Sequence, residues 1–166
     1  MANKGNYYHL TNDKGNCYAI GEEDVMKKTD LAYTAGIIDG EGCVYIGKFN
    51  KRKNKYPSYQ LHVTVNSSDE WLCQFLKMGY GGSVHKYLSP RNTKMYLWHI
   101  AALKALVFLG IILPYLHIKQ PQAEIAIQFQ SQLKTVGRRG RTEEVVALQE
   151  EQRLLLKNAK KVGKAI

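Results

Sequence analysis

The sequence has no cysteine arrangement that would staple a small fold or bind zinc. Its three cysteines, Cys17, Cys43 and Cys73, are odd in number and widely spaced, without a CxxC pair or a Cys/His cluster. Neither a disulfide framework nor a zinc site is therefore indicated. A reducing, intracellular setting fits this pattern best, and import into an organelle stays open.

The chain also lacks a long hydrophobic run. Its longest uncharged apolar stretch, ALVFLGIILPYL (105–116), contains Pro114 and is shorter than the roughly 18–20 residues that a membrane-spanning helix needs. The opening residues, MANKGNYYHLTNDKGN, contain no apolar segment of the kind found in signal peptides. We therefore expect a soluble protein without a membrane-spanning segment.

Acidic residues are scarce relative to basic ones. The 166 residues include 24 Lys or Arg against 14 Asp or Glu, which gives a formal net charge of +10. This excess favours a polyanionic partner, either nucleic acid or an anionic membrane surface. A chain of this length is most simply one domain with a core of its own.

Apolar periodicity and turn residues predict alternating helices and strand pairs. The clearest strand is 59–66, because Leu61, Val63 and Val65 alternate with polar neighbours; such a strand has one buried face and one polar face. The predicted segments are a helix over 31–39, strands over 43–49 and 59–66, a helix over 67–79, strands over 81–88 and 93–100, and helices over 102–113, 118–133 and 142–161.

This order of elements predicts an α+β domain with its sheet covered on one side. Residues 1–28 form a polar N-terminal extension or arm, and 29–135 form the core. Residues 136–166, a basic linker followed by a helix, are predicted to belong to the same domain.

Small residues recur at every fourth position of the first predicted helix. Ala32, Gly36 and Gly40 share one helix face, although a mid-helix glycine costs ~1 kcal/mol relative to alanine. Such a face lets another helix backbone approach closely. If that helix belongs to a second copy of the chain, a two-fold axis runs along the contact, with these residues at a dimer interface.

Two acids, Asp39 and Glu41, end the same helix, where the helix dipole disfavours negative charge. Two like charges ~4 Å apart repel by ~4 kcal/mol at an effective dielectric constant of 20, so a cation must offset them. A divalent metal such as Mg²⁺, which takes carboxylate ligands, is one candidate, and lysine side chains are the other. A helix-ending turn without a chemical role is the third interpretation.

The segment AGIIDGEG (35–42) resembles the signature of the LAGLIDADG homing endonucleases, with Thr34 in the place of the leading leucine. GYGGSV (79–84) is similar to that family's glycine turn before its third strand, and LPYLHIKQPQA (113–123) to its helix-break segment. The resemblance covers about residues 30–130 in the family's αββαββα order. It implies an α+β fold with a saddle-shaped antiparallel sheet, to which this chain adds a C-terminal helix.

The resemblance also implies a catalytic site. In the family the last acid of the motif binds the metal, a role that falls on Glu41, and the earlier acid, Asp39, ranks second because it more often braces the helix end. A polar residue at the end of the second strand completes the implied set, with Asn66 ranked before Thr64. A basic residue near the fourth strand also belongs to it, for which Lys104 is the nearest lysine, although a gap-free alignment places Leu103 there. Mg²⁺ is the implied cofactor, with Mn²⁺ as an alternative and Ca²⁺ as a non-catalytic substitute.

One motif per chain makes half a site, so the resemblance implies a homodimer that cleaves a long, pseudo-palindromic double-stranded DNA target and leaves 3′ overhangs. Side chains on the polar sheet face can read base edges in the major groove, and basic residues can contact phosphates. The predicted DNA-binding residues are Tyr45, Gln60, His62, Thr64, Ser83, His85 and Tyr87 on the sheet, and Lys48, Lys51, Arg52, Lys53, Lys55, Arg138, Arg139 and Arg141 among the basic residues.

Two other functions remain open at this stage. An RNA maturase that assists splicing of its host intron would keep the basic surfaces without needing Glu41 for chemistry. A DNA-binding regulator that does not cleave would keep the binding face, and the intact acids argue mildly against it. An intron-encoded protein of a nucleoid, chloroplast or mitochondrion would suit any of these functions.

Overall fold

Helices pack on one face of a four-stranded antiparallel sheet in the computed structural model. It describes residues 9–11, 17–19, 27–50, 55–135 and 142–162. The N-terminal extension contributes a short antiparallel hairpin of β1 (His9–Thr11) and β2 (Cys17–Ala19).

The remaining elements follow the predicted αββαββα order, and the α+β fold class is confirmed. They are α1 (Lys28–Glu41), β3 (Gly42–Phe49), β4 (Ser58–Ser67), α2 (Glu70–Tyr80), β5 (Ser83–Leu88), β6 (Lys94–Ala101), α3 (Ala102–Ile112), a 3-10 turn (Leu113–Tyr115), α4 (Gln120–Thr135) and α5 (Glu143–Val162). Helix α1 begins at Lys28 rather than at residue 31 and ends at Glu41 rather than at residue 39, so it is longer at both ends than the apolar pattern predicts.

The strand order β3-β4-β6-β5 places β4 and β6 at the centre of the sheet. Val65 pairs with Gly42 on one side and with Trp98 on the other, so the apolar positions of neighbouring strands face the helices together. Trp98 packs against Phe108 of α3 with ring centroids 5.2 Å apart, and both side chains are buried. Burying a large apolar side chain contributes roughly 1.5–3 kcal/mol, so this layer fixes which sheet face stays open.

The predicted glycine turn before the third core strand is present. Gly82 has a φ of +85°, and a Cβ atom there would lie 2.5 Å from the carbonyl oxygen of His99. The neighbouring Gly81 accepts a hydrogen bond of 2.9 Å from Nε1 of Trp98. The turn therefore needs glycine and ties β5 to the buried indole of β6.

The apolar run 105–116 contributes to the core and does not form a spanning segment. It is divided between α3 and the 3-10 turn at Pro114, and it supplies buried Phe108, Leu109 and Ile112. Within the described parts of the chain, no helix is long and apolar enough to cross a membrane.

Helix α5 packs on the helical face through an ionic cluster around Glu150. Its carboxylate accepts from the Tyr59 hydroxyl at 2.7 Å and pairs with Lys48 at 3.3 Å and Arg153 at 2.7 Å. These partners hold the pKa of Glu150 at about 2, with the Arg153 hydrogen bond as the largest cause. Leu156, farther along α5, is buried in the core.

Lys48, whose predicted contact with DNA stays a prediction, lies on the covered side of the sheet. Gly42, Val44 and Ile46 face the helices, and Lys48 follows them with the same alternation. Its ammonium group therefore pairs with Glu150 on the covered side of the sheet. Lys48 is not part of the open sheet face that was predicted to contact DNA.

Candidate active site and sheet face

The C-terminal end of α1 is clamped by the segment that precedes α4. The carboxylate of Asp39 accepts backbone N–H bonds from His117 at 2.9 Å and from Lys119 at 2.8 Å. The ammonium group of Lys119 donates to the carbonyl oxygens of Ile38 at 2.7 Å and Asp39 at 2.6 Å. The last carbonyls of the helix, which have no partner within it, are thereby satisfied.

Lys119 is the cation that the two acids require. Burial lowers its pKa, and the charges of Asp39, Cys43 and Glu41 oppose that shift. A lysine side chain, one of the two cations considered from the sequence, therefore offsets the negative charge at this helix end. Its 80-residue separation from Asp39 explains why the local sequence pattern did not reveal it.

Glu41 differs from Asp39 in being available to a ligand. It is the last residue of α1, it is exposed, and no described residue forms a hydrogen bond or ion pair with its carboxylate. Both carboxylate oxygens of Asp39, by contrast, are occupied by backbone donors. Oxygen donors are the ligands that Mg²⁺ takes in proteins, so Glu41 fits a metal and Asp39 serves to hold the helix end.

Two predicted roles stay predictions. Both oxygens of Asp39 accept hydrogen bonds, which favours its role of bracing the helix end over that of a metal ligand. Lys104 lies exposed in the first turn of α3, and no hydrogen bond or ion pair joins it to the described residues at the end of α1. The basic residue that the structure brings to this site is Lys119, followed by Lys160 of α5, whose Nζ lies 3.3 Å from Sγ of Cys43.

Asn66 lies near the end of β4, beside the start of β3. Its neighbour Val65 pairs with Gly42, the residue after Glu41. Continuing this antiparallel register by one residue places Asn66 opposite Glu41. Its side-chain amide is hydrogen-bonded to the hydroxyl of Tyr87, with Nδ2 and Oη 2.6 Å apart. Asn66 is thus held in place by β5, and its catalytic role stays a prediction.

Helix α1 exposes the small residues predicted for a dimer interface. Ala32, Gly36 and Gly40 are exposed, and a Cβ atom built on either glycine would meet nothing within 4 Å. Tyr33, next to them, contacts Phe75 of α2 with ring centroids 5.6 Å apart. The motif departure at Thr34 is satisfied internally, because this buried hydroxyl accepts from Tyr80 at 2.9 Å.

Aromatic side chains extend this exposed surface onto α2. Trp71 stacks on Phe75 with ring centroids 5.4 Å apart, although 60% of its surface is exposed. Met78 of the same helix is 86% exposed. The patch of Tyr33, Trp71, Phe75 and Met78 is continuous with α1 through the Tyr33–Phe75 contact.

The sheet face opposite the helices carries the predicted polar side chains. The strand register places them on one face, in rows such as Tyr45 with His62, and Thr64 with His99 and Ser83. The face, called here the open face, consists of Cys43, Tyr45, Gly47, Phe49, Ser58, Gln60, His62, Thr64, Asn66, Ser83, His85, Tyr87, Met95, Leu97, His99 and Ala101.

Histidines occupy the middle of the open face. Nδ1 of His62 lies 2.7 Å from Nε2 of His99. The His62 ring stacks between Tyr45 and His99, with centroids 5.1 Å from each. His85 contacts Ser83 at 3.0 Å on the edge strand. Sequence reasoning missed His99, because its partner lies on another strand.

Among the basic residues predicted to bind DNA, Lys55 is exposed beside the ring of Tyr56. The others, apart from Lys48, lie outside the residues that the structure describes: Lys51, Arg52, Lys53, Arg138, Arg139 and Arg141.

No family model and no curated protein matches this sequence. Solved structures are similar in fold. The homing endonuclease I-CvuI in complex with the I-CreI target superposes with a TM-score of 0.62 and 16% identity, over 88% of this chain and 99% of that one. An archaeal intron-encoded homing endonuclease complexed with DNA gives a TM-score of 0.62 and 16% identity, over 84% of this chain and 85% of that one.

A third similar structure is that of an enzyme described as a LAGLIDADG homing endonuclease. The LAGLIDADG homing endonuclease I-LtrWI bound to target DNA gives a TM-score of 0.62 and 20% identity. The match covers 77% of this chain and 44% of that one. At such identities the likeness establishes the arrangement of helices and strands.

Proposed function

Because the chain has the fold of the LAGLIDADG homing endonucleases, we propose that it is a site-specific DNA endonuclease that hydrolyses both strands of its target with a divalent metal. The observation that carries this proposal is the difference between the two acids. The carboxylate of Asp39 accepts two backbone hydrogen bonds that hold the helix end, whereas the carboxylate of Glu41 is free and exposed beside Lys119.

The active enzyme is a homodimer in this proposal. One chain offers a single free carboxylate at the C-terminal end of α1, and among its described residues no group of three His, Cys, Asp or Glu side chains could hold a metal ion. A two-fold axis along α1 would bring Glu41 of each copy to one place. The exposed small-residue face and the adjoining Tyr33–Trp71 patch are the surface that a second copy would cover.

Glu41 of each copy would hold the metal, and Mg²⁺ is the cofactor proposed. A bound Mg²⁺ polarises phosphoryl oxygens and supplies an activated water. Lys119 lies close enough to Glu41 for the charge of Glu41 to raise the pKa of the lysine, and it places a cation near any phosphate bound there. Structures of I-CvuI with DNA were determined in the presence of 2 mM Ca, and of 2 mM Mg with the DNA not cleaved; the presence of these ions is consistent with a divalent metal.

The open face would read the target in the major groove, where strands of a sheet can reach base edges. Gln60, Thr64 and His85 project from this face and offer hydrogen-bonding groups. A two-fold dimer would bind two similar half-sites, so the proposed target is long and pseudo-palindromic.

The test is cleavage of a randomised duplex DNA library in Mg²⁺, and in parallel in Ca²⁺ or EDTA, followed by sequencing of the ends. Glu41→Gln is the inactive variant, and Glu70→Gln, an exposed acid at the start of α2, is the matched control. We expect Mg²⁺-dependent breaks with 3′ overhangs at one pseudo-palindromic sequence, lost only in Glu41→Gln.

Cleavage that survives Glu41→Gln would contradict the assignment of this residue. Specific duplex binding without cleavage in any metal would instead indicate a DNA-binding regulator. Binding confined to structured RNA would indicate a maturase.

A further inference from the structure

His62 and His99 form one hydrogen-bonded unit at the centre of the open face. They lie on the two central strands, and their rings are nearly parallel, with an angle of 20° between the planes. His62 is only 7% exposed, and its Nε2 is buried without a partner among the described residues. This unpaired atom decides how the protons of the unit are distributed.

Two neutral arrangements are compatible with the 2.7 Å contact. Either Nδ1–H of His62 donates to Nε2 of His99, or Nε2–H of His99 donates to Nδ1 of His62. The second arrangement places a proton on Nε2 of His62, which would be a buried N–H donor without an acceptor. Orphaned buried N–H groups are rarer in proteins than under-satisfied acceptors, so the first arrangement is favoured.

The first arrangement determines what His99 offers to a ligand. Its Nε2 accepts from His62, so its single proton resides on Nδ1. Nδ1 of His99 has no hydrogen-bond partner within the described chain, and it is not among the buried unpaired atoms. A lone N–H donor is therefore accessible in the middle of the open face.

The surroundings keep the unit neutral near pH 7. Burial lowers the pKa of His62, with a further contribution from His99. Burial also lowers the pKa of His99, with a further contribution from His85 on β5. On the β3 side the titratable neighbour is Tyr45, whose pKa is raised by burial, so it is also neutral.

We propose that His99, with its tautomer fixed by His62, is a specificity-determining residue that donates one hydrogen bond to a base edge and selects against cytosine at one position of each half-site. The inference rests on the proposed DNA-binding function. Guanine, adenine and thymine each offer an acceptor in the major groove, whereas cytosine offers only an amino donor there. His62 does not touch the base and acts as a positioning residue.

The first experiment observes the protons directly. Long-range ¹H–¹⁵N spectra of the full chain report which ring nitrogen of each histidine is protonated, with signals assigned through His62→Phe and His99→Gln. We expect Nδ1–H for both residues at pH 7.5, and in His62→Phe we expect His99 to populate both tautomers. A His99 signal with bare Nδ1 in the wild type would overturn the proposal.

The second experiment measures base preference by selection of bound duplexes from a randomised library. His99→Ala should weaken the discrimination against cytosine by about fivefold at two symmetry-related positions, which corresponds to one hydrogen bond of about 1 kcal/mol. His62→Phe, which retains a stacked ring, should relax the same positions. Glu70→Gln, the control on α2 outside the open face, should leave them unchanged.

Different results would refute the role of His99 and the proposed DNA-binding function. If the wild type selects a target and both variants select it with unchanged preference at every position, the role of His99 is refuted and the proposed function stands. If the wild type selects no duplex sequence, the proposed DNA-binding function fails, and the assignment of His99 fails with it.

Discussion

Lys119 and Asp39 bind each other through two separate contacts. The backbone N–H of Lys119 donates to the carboxylate of Asp39 at 2.8 Å, and its ammonium group donates to the carbonyl oxygen of Asp39 at 2.6 Å. Lys119 supplies a cation at the C-terminus of α1, where the helix dipole favours positive charge. Asp39 supplies an acceptor for the backbone N–H groups of the chain that enters α4. The position of Glu41 is therefore set by a pair of residues that leaves its own carboxylate free.

Removing the ammonium group of Lys119 should impair both stability and cleavage. Lys119→Met keeps the apolar stem but leaves the carbonyls of Ile38 and Asp39 without their donor, at a cost of roughly 1–3 kcal/mol. Cleavage should fall about 100-fold or more, because the cation near the phosphate is lost. Urea unfolding and single-turnover cleavage measure the two effects. Lys104→Met is the matched control, and an equal loss of activity in it would contradict our assignment.

Asp39→Asn should destabilise the protein without changing its response to metal. The amide keeps one acceptor oxygen but presents an NH₂ group to the second backbone donor, so we expect a loss of roughly 1–3 kcal/mol. The Mg²⁺ concentration that gives half-maximal cleavage should not change. A large rise in that concentration would restore Asp39 as a metal ligand.

Gly36→Leu should abolish the proposed homodimer and leave the fold intact. A Cβ atom at Gly36 meets nothing within 4 Å in the single chain, and replacing a helical glycine favours the helix by roughly 0.5–1 kcal/mol. A leucine there would prevent close approach of a second α1. Sedimentation velocity checks the mass, and circular dichroism checks the fold. Gly110→Leu, equally unobstructed on α3, should remain dimeric; a dimeric Gly36→Leu would place the interface elsewhere.

The histidine pair should make the protein less stable below pH 6.5. The pKa values of His62 and His99 are lowered in the folded chain, so the unfolded chain binds more protons as the pH falls through its ordinary value of about 6.5. Their contribution is present above that pH and is lost as the pH falls toward the folded values. Urea unfolding at pH 7.5, 6.5 and 5.5 should therefore show a weaker loss in the double variant His62→Phe/His99→Phe. His117→Asn, an exposed histidine, should keep the wild-type slope.

The sequence predicted the fold well where the residues of a single helix or strand were enough to determine its structure. The alternation of Leu61, Val63 and Val65 determined both the strand and its buried face, because a period of two leaves no other assignment. The same alternation places Lys48 with Ile46 on the side of the sheet that the helices cover. The local sequence does not show that Glu150 of α5 is its partner there.

The candidate site was predicted only in its local part. Glu41 and Asp39 belong to one motif, and their different roles became visible only through contacts with residues 117 and 119. His99 illustrates the same difficulty, because its partner His62 is 37 positions away on a neighbouring strand. The roles of these residues therefore depend on hydrogen bonds between distant parts of the chain, which a local motif does not reveal.

The open face has a consequence for how affinity and discrimination respond to salt. Its side chains on β3 to β6 include no lysine, arginine, aspartate or glutamate. Binding to DNA releases counterions in proportion to the phosphates that basic groups neutralise, with a log–log slope of about −0.9 per phosphate. Base contacts made by an uncharged face release almost none. Raising the salt concentration should therefore weaken binding to every duplex alike, while the ratio of affinities between a correct and an incorrect target stays nearly constant.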